Sequence, residues 1–406
     1  MDKARLRQDL VADYQKTHPR SAIHFQDSLR SLIGGGSHNL RLIKPFPFYD
    51  ARCSGSKVVD IDGNTYVDFW QGHFGNILGH NPPVVLNVLA EYLAEGRGLA
   101  TGFPGIYQEQ LASLILERIS ADKLRFTTSG TLATMYAIML SKSFTGKNMV
   151  VKIGGGWHGA QPYALKGISV FKSGLSQVES AGLPAELDAA LLLSEFNNIE
   201  DLEEKFRHYG DKIACLIMEP FIGAGGFIFG TPEYIQGARD LTSKYGALLV
   251  FDEVVSGFRF HAGALQSLYN VKADLTVFGK AIGGGMPVSA LAGRGEIMEL
   301  CDSDAPNNKR VKFEGGTFSG HPACMLAGLT FLRYLIEHEE EVYPRLGKLG
   351  DIVRKNIPRI FNEYGFNVKC TGGDSVVSPN SSVVGVHFLN VELDALVSPE
   401  EVGNPE

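Results

Sequence analysis

The chain has 406 residues, 44% of them hydrophobic and 20% charged, with 47 glycines. That is too apolar for intrinsic disorder and long enough for about two to three domain-sized units. A formal net charge of -7 provides no basic field to hold a polyphosphate backbone, so a nucleic-acid binder is disfavoured.

The first twenty residues carry charge throughout and lack a continuous apolar run. No later stretch reaches the ~18 uninterrupted apolar residues of a membrane span. A cytoplasmic protein with no membrane partner is therefore expected. The five cysteines, Cys53, Cys215, Cys301, Cys324 and Cys370, are scattered without a C-x-x-C pair and read as reduced and structural.

In chain order, Val58–Phe69 reads as two short strands around Asp62-Gly63-Asn64, a hairpin signal. A helix is predicted over Thr131–Lys142, followed by a strand over Asn148–Ile153. The helix Ile199–Tyr209 and strand Ile213–Met218 come next. The helix Pro232–Tyr245 opens with Thr231-Pro232, an N-cap and N1 proline, and closes at Gly246. Ala247–Phe251, Asp274–Phe278 and Val288–Ala292 are near-continuously apolar, as strands buried on both faces tend to be. Leu326–His338 and Tyr343–Tyr364 have the period of amphipathic helices, whereas Asp302–Lys312 and Gly372–Ser382 are loop-like. Alternating strands and helices imply an α/β fold, a large domain with a mostly parallel central sheet. Both ends look like a smaller α+β domain. The expected division is 1–85, an N-terminal segment with part of the small domain, 86–318, the large domain, and 319–406, the remainder of the small domain.

Several familiar signals carry little weight. Gly154-x-Gly156-x-x-Gly159 satisfies a dinucleotide fingerprint after a strand, but Pro162 stands where the second helical turn belongs. Neither Gly146-Lys147 nor Gly279-Lys280 is followed by serine or threonine, so no phosphate loop of the Walker type is present. No H-E-x-x-H pair or G-x-S-x-G elbow occurs, and His338-Glu339-Glu340-Glu341 reads as a solvated helix face.

The informative region is Ala247–Pro287. Asp252-Glu253 closes one buried strand, at the carboxyl edge where open α/β sheets bind ligands. Lys280 follows a second strand and precedes Gly283-Gly284-Gly285, which puts a lysine at the same edge. An ammonium in an apolar cleft loses basicity and becomes a competent amine for Schiff-base chemistry. A carboxylate beside it is suited to holding a pyridinium nitrogen protonated. The competing reading, equally weighted on spacing alone, is an Asp252–Lys280 ion pair that merely closes the sheet.

Phe251-Asp252-Glu253-Val254-Val255-Ser256-Gly257-Phe258-Arg259 and Phe278-Gly279-Lys280-Ala281-Ile282-Gly283-Gly284-Gly285-Met286-Pro287 together resemble the signature of class III pyridoxal-phosphate-dependent aminotransferases, in the branch of glutamate-1-semialdehyde 2,1-aminomutase. The resemblance runs from about Gly34 to the end of the chain. It implies the type I fold of pyridoxal-phosphate-dependent transferases, a homodimer with shared active sites, and a small amino or carbonyl substrate. Pyridoxal 5′-phosphate would be the cofactor, alternating with its pyridoxamine form. By the same resemblance Lys280 would carry the cofactor and Asp252 would hold its ring nitrogen.

Other positions follow one by one. Ser129-Gly130-Thr131 ends a short strand and opens a helix, which suits a phosphate and matches the family's phosphate cup, although Leu132 stands where glutamate is common. Trp157-His158-Gly159 matches the aromatic-His-Gly segment whose ring stacks on the cofactor, with Val254 expected on the opposite ring face. Phe196-Asn197-Asn198 resembles Tyr-Asn-Asp, which would give Asn197 a bond to the cofactor's phenolic oxygen. Glu219, before Pro220, belongs near the same pocket. Gly316 and Thr317 match the segment that reaches the other subunit's phosphate, and His321 is read as structural.

Near the start, Gly34-Gly35-Gly36-Ser37-His38-Asn39-Leu40-Arg41 occupies the place of the branch's Gly-Gly-Val-Asn-Ser-Pro-Val-Arg. Arg41 is then the candidate for a substrate carboxylate, with His38 beside it. After Gly159 the branch has His-Ala-Asp-Ser, whereas this chain has Ala160-Gln161-Pro162-Tyr163, within the expected gating segment Gly159–Pro184. Relatives continue past the equivalent of Glu406, so the small domain is expected to be incomplete. An aminomutase that returns nitrogen to the adjacent carbon is the first expectation, and an intermolecular aminotransferase is the second. A catalytically silent binding protein is the third, and the intact Asp252, Lys280, Ser129 and Thr317 argue against it.

Overall fold

A computed structural model describes residues 2–100, 102–168, 178–373, 376–378, 381–390, 393 and 395–403. They fall into two compact units, Met1–Leu86 and Asn87–Glu406.

In the first unit, β1 (Asp50–Ser54), β2 (Lys57–Asp60) and β3 (Thr65–Val67) form an antiparallel meander. The turn predicted at Asp62-Gly63-Asn64 joins β2 to β3. Asp60 shapes it by accepting the N–H groups of Asp62 and Asn64 at 2.9 and 2.8 Å. Asp62 in turn accepts the N–H groups of Arg20 and Ser21 at 2.7 and 3.0 Å, in the first turn of the helix Pro19–Ser28. A further helix, Lys3–Thr17, buries no residue, so it leaves no apolar stripe in the sequence.

The second unit is built on seven strands: β4 (Lys123–Thr127), β5 (Met149–Ile153), β6 (Leu191–Ser194), β7 (Ile213–Met218), β10 (Leu248–Glu253), β11 (Leu275–Phe278) and β12 (Ser289–Gly293). Their order is β4-β12-β11-β10-β7-β5-β6. Two short antiparallel pairs stand apart from this sheet, β8 (Phe221–Ile222) with β9 (Ile228–Phe229) and β13 (Val368–Thr371) with β14 (Gly385–Phe388). The run from β6 through β5, β7 and β10 to β11 is parallel, as the alternation of strands and helices implies. The predicted strand at Val288–Ala292 forms, but antiparallel to both β11 and β4. The link from Phe278 to Ser289 is too short to carry a crossover helix, so the chain can only double back.

Both sheet faces are covered, and every residue of β7 and β10 is buried. On one face the helix Gly130–Thr145 packs Ala137 and Leu140 with Val250 and Val277. On the other, Leu202, Phe206 and Ile235 pack with Val151, Leu249 and Phe251. Each of the larger of these side chains, Val, Leu, Ile or Phe, contributes about 1.5–3 kcal/mol of burial. The helix Pro232–Tyr245 has the boundaries its sequence announces: the Thr231 hydroxyl accepts the Tyr234 N–H, and Gly246 ends it at φ 60°.

The helices Pro322–Glu337 and Glu339–Glu363 follow the sheet, close to their predicted spans. Glu339 departs from the solvated-face expectation. It pairs with Arg118 at 2.6 Å and accepts the Ala262 N–H at 2.9 Å, tying its helix to the loop after β10. Among the described residues, all five cysteines are free and no helix is long and apolar enough to cross a membrane.

Candidate active site

At the carboxyl edge of the sheet, β10 and β11 run in parallel with Asp252 opposite Val277 and Glu253 opposite Phe278. Lys280 therefore emerges two residues past the end of β11, level with the acids. Its backbone is left-handed at φ 47°, which costs a non-glycine residue about 1–3 kcal/mol and marks a constrained turn. Burial pulls the Lys280 ammonium below its ordinary basicity and the Arg259 cation adds to this, while Asp252 and Glu219 oppose it. A neutral amine at this edge is what a Schiff-base lysine requires.

Asp252 is paired with His158, not with Lys280. Its Oδ2 lies 2.8 Å from His158 Nδ1, and its Oδ1 accepts the Val254 N–H at 3.0 Å. The structural ion pair that spacing alone permitted is thus replaced by a buried Asp–His pair. Burial holds His158 below the usual imidazole range, against the pull of Asp252. The backbone of His158 is held by Thr134, whose hydroxyl donates to the His158 carbonyl at 2.7 Å. Glu253, by contrast, turns inward to accept the Gln266 N–H at 3.0 Å and serves the loop after β10.

Glu219, just past the end of β7, accepts the Trp157 N–H at 2.8 Å and the Gly223 N–H at 3.0 Å. Burial, with the nearby Asp252 charge, pushes its carboxyl up to about 8. Trp157 stands beside it 43% exposed, an aromatic side chain suited to stacking.

The turn after β4 opens a helix and offers donors that suit an anion. Ser129 caps the helix Gly130–Thr145, accepting the Leu132 N–H at 3.3 Å. The first backbone bond of the helix runs from Ala133 to Ser129, ahead of which the N–H groups of Gly130 and Thr131 point out along the helix dipole. A Cβ at Gly130 would meet Val254 Cγ2 at 2.9 Å, and one at Gly159, φ 81°, would run into Thr131. Glycine at both positions lets the phosphate turn, the Val254 strand end and the Trp157–Gly159 segment close on one another. Gly316 approaches the same turn, since a Cβ there would lie 3.3 Å from Thr128 Oγ1, and Thr317 follows it exposed to solvent.

Asn197 departs from the expectation. Both its amide N–H groups are committed, to the Val397 carbonyl at 2.8 Å and the Phe229 carbonyl at 3.1 Å, and its Oδ1 accepts the Thr231 N–H at 2.8 Å. With no donor left for a cofactor oxygen, it holds three backbone segments together from a left-handed turn at φ 60°. In the first unit, His38 and Arg41 meet on a residue that sequence reasoning did not single out. The His38 and His73 ring centroids are 4.7 Å apart, and Arg41 Nε donates to His73 Nε2 at 3.4 Å.

The aminotransferase class-III family model matches residues 43–372. The chain belongs to the aminotransferase class-III family. It is 39% identical over 355 residues to the glutamate-1-semialdehyde 2,1-aminomutase of Methanobrevibacter smithii, covering 87% of this chain and 81% of that protein. Among solved structures, an ω-transaminase from Sphaerobacter thermophilus superposes with a TM-score of 0.83 at 31% identity, covering 92% of this chain and 83% of the other. A transaminase with pyridoxal phosphate bound gives a TM-score of 0.81 at 27% identity, covering 92% and 84%. The fold is that of the pyridoxal-phosphate-dependent transaminases, and pyridoxal phosphate is the cofactor of this class-III enzyme.

The residues present fit that group. A partly buried lysine of lowered basicity, a buried carboxylate braced by a histidine, an exposed tryptophan and a glycine-lined helix start converge on one sheet edge. One residue missed in the sequence is Lys152, fully buried on β5 near Glu219. Its signal was a single charge inside the apolar run Met149-Val150-Val151-Lys152-Ile153.

Proposed function

We propose that this enzyme transfers an amino group in the manner of glutamate-1-semialdehyde 2,1-aminomutase, moving nitrogen between adjacent carbons of one substrate. The observation that carries the site reading is the meeting of Lys280 with the Asp252–His158 pair at one sheet edge. The 39% identity over most of the chain to a named aminomutase supports the reaction type.

When bound, pyridoxal phosphate supplies an electron sink for the carbon that loses a proton. The protein's own groups do the rest. Lys280, its basicity lowered by burial, would anchor the cofactor and is placed to move a proton beside the substrate. Asp252 would keep a positive ring nitrogen paired, and His158 fixes that carboxylate's orientation. Ser129, Gly130 and Thr131 would offer hydroxyl and N–H donors to the phosphate, Trp157 and Val254 would flank the ring, and Glu219 holds the Trp157 backbone. We infer that Arg41 binds the substrate carboxylate beside His38, and that Gly316 and Thr317 serve the partner's phosphate in a cytoplasmic homodimer. The large domain is proposed over 86–318, flanked by 1–85 and 319–406, and the break between Leu86 and Asn87 supports the first of these boundaries.

An intermolecular aminotransferase is the second reading, favoured by the 31% identity to an ω-transaminase and by the altered segment after Gly159. There Gln161 caps a short 3-10 turn at Pro162–Ala164 by accepting the Tyr163 N–H, and this prolyl turn replaces a polar run. The test gives the protein in its pyridoxamine form glutamate-1-semialdehyde with no other acceptor. Repeated turnover to 5-aminolevulinate is the expected result. No 5-aminolevulinate, with cofactor cycling on a separate amine and keto acid, would make it the intermolecular enzyme.

A further inference from the structure

Three consecutive glycines, Gly154, Gly155 and Gly156, lead from β5 into Trp157 and His158. No sequence has more backbone freedom to lose, yet this one delivers two side chains to fixed places. A second glycine-rich turn, Gly223–Gly226, joins β8 to β9 and closes on itself where Gly226 donates its N–H to the Gly223 carbonyl at 3.2 Å. Glu219 links the two turns, with one carboxylate oxygen on the Trp157 N–H and the other on the Gly223 N–H.

A third segment packs on both. Ser398-Pro399-Glu400-Glu401 carries the pattern of a capping box with proline at N1, and the helical turn Pro399–Gly403 forms there. Ser398 Oγ accepts the Glu401 N–H at 3.4 Å, and Glu401 Oε2 accepts the N–H groups of Ser398 and Val397 at 3.2 and 2.6 Å. Asn197 ties the start of this segment through the Val397 carbonyl. The turn is thus shaped by its own residues, and a spacing of three puts Pro399 and Val402 on one face. Glycines receive that face. A Cβ at Gly155 would lie 2.7 Å from Pro399 Cβ, one at Gly225 2.9 Å from Pro399 Cγ, and one at Gly226 2.7 Å from Val402 Cγ2. Gly155 and Gly226 also stand at φ 79° and 115°, where a side chain would be strained.

We propose that Pro399 and Val402 are positioning residues, a wedge that holds the Gly154–Gly156 and Gly223–Gly226 turns at a fixed spacing and so fixes Trp157. The inference rests on the site reading above only in assigning Trp157 to the cofactor.

The chain has two tryptophans, so in a Trp70→Phe background the tryptophan band of the near-ultraviolet circular dichroism reports Trp157 alone. The band is measured in the full chain after removal of cofactor, below every Tm, in the parent, Pro399→Gly, Val402→Ala and Leu241→Ala forms. Leu241, buried in the helix Pro232–Tyr245, is the control for loss of stability alone. Pro399→Gly and Val402→Ala should each lower the band by about half, because an indole released from fixed packing averages its signal, whereas Leu241→Ala leaves it whole. Pyridoxal phosphate should then bind about three- to tenfold more weakly to the first two, the loss of one stacking contact. A lowered Tm with an unmoved band in both would make the turn plain packing and overturn the proposal. Should both fail to fold, Glu401→Ala, which removes only the turn's own cap, carries the test, and an unmoved band there overturns it. A reduced band with unchanged cofactor affinity would uphold the wedge and detach Trp157 from the cofactor, so the two readings fail separately.

Discussion

His158 Nδ1 lies 2.8 Å from Asp252 Oδ2, with both side chains buried. Asp252 is therefore not a free carboxylate at the sheet edge. Its orientation is set by an imidazole that burial keeps neutral, so that Nδ1–H donates to it.

That pair gives the enzyme an acid sensitivity. Burial lowers the folded-state pKa of His158, so the unfolded chain takes up this proton at higher pH than the folded one. The stability contributed by neutral His158 is whole above the ordinary imidazole value of about 6.5 and is lost as pH falls below it. His261 and His387 lean the same way and are left in place. His158→Gln should show a smaller drop in Tm between about pH 7.5 and about pH 5.5 than the parent. Equal drops would mean that His158 titrates alike in the folded and unfolded chains, and a larger drop in the variant that it is charged in the folded state.

Lys280→Ala removes the amine while leaving the rest of the edge intact. Borohydride treatment of the parent with cofactor should fix the cofactor to the peptide bearing Lys280, read by mass spectrometry. In the variant no fixed cofactor is expected, and turnover should fall by about a thousandfold or more. A labelled peptide elsewhere in the variant would reassign the lysine.

Asn197→Ala separates a structural asparagine from a cofactor ligand. Losing its three backbone partners should lower unfolding stability by about 1–3 kcal/mol, measured by denaturant midpoint. The cofactor's absorption maximum should stay where it is. A shifted maximum with unchanged stability would restore the role read from the sequence.

Gly159→Ala tests the packing under the phosphate turn. At φ 81°, with Thr131 in the way of a Cβ, the substitution should cost about 2 kcal/mol and weaken cofactor binding together. Thermal melts with and without cofactor measure both. A loss of stability with unaltered cofactor affinity would detach Thr131 from phosphate binding.

Much of this was legible because it is local. Pro232–Tyr245 is bounded by its own cap, proline and glycine, and β7 is apolar along its whole length, so both are read from neighbouring residues. Lys280 and Asp252 stood out because a charge at the end of an apolar strand is expensive without a use. The direction of β12 was not legible from its apolar content. Direction depends on whether the preceding link has room for a crossover.

The same division runs through the site. The sequence by itself determined strands such as β7, β10 and β11, the helix Pro232–Tyr245, and the lysine and acid that stand at one sheet edge, because each follows from burial pattern and local turn chemistry. Only the tertiary structure decided who pairs with whom. Asp252 took His158 instead of Lys280, Asn197 spent its amide on Phe229, Val397 and Thr231, and Lys152 turned its Nζ to the Ile153 and Gly167 carbonyls. Hydrogen bonds and charges reach only a few ångströms, and which groups come within that reach depends on how distant segments pack.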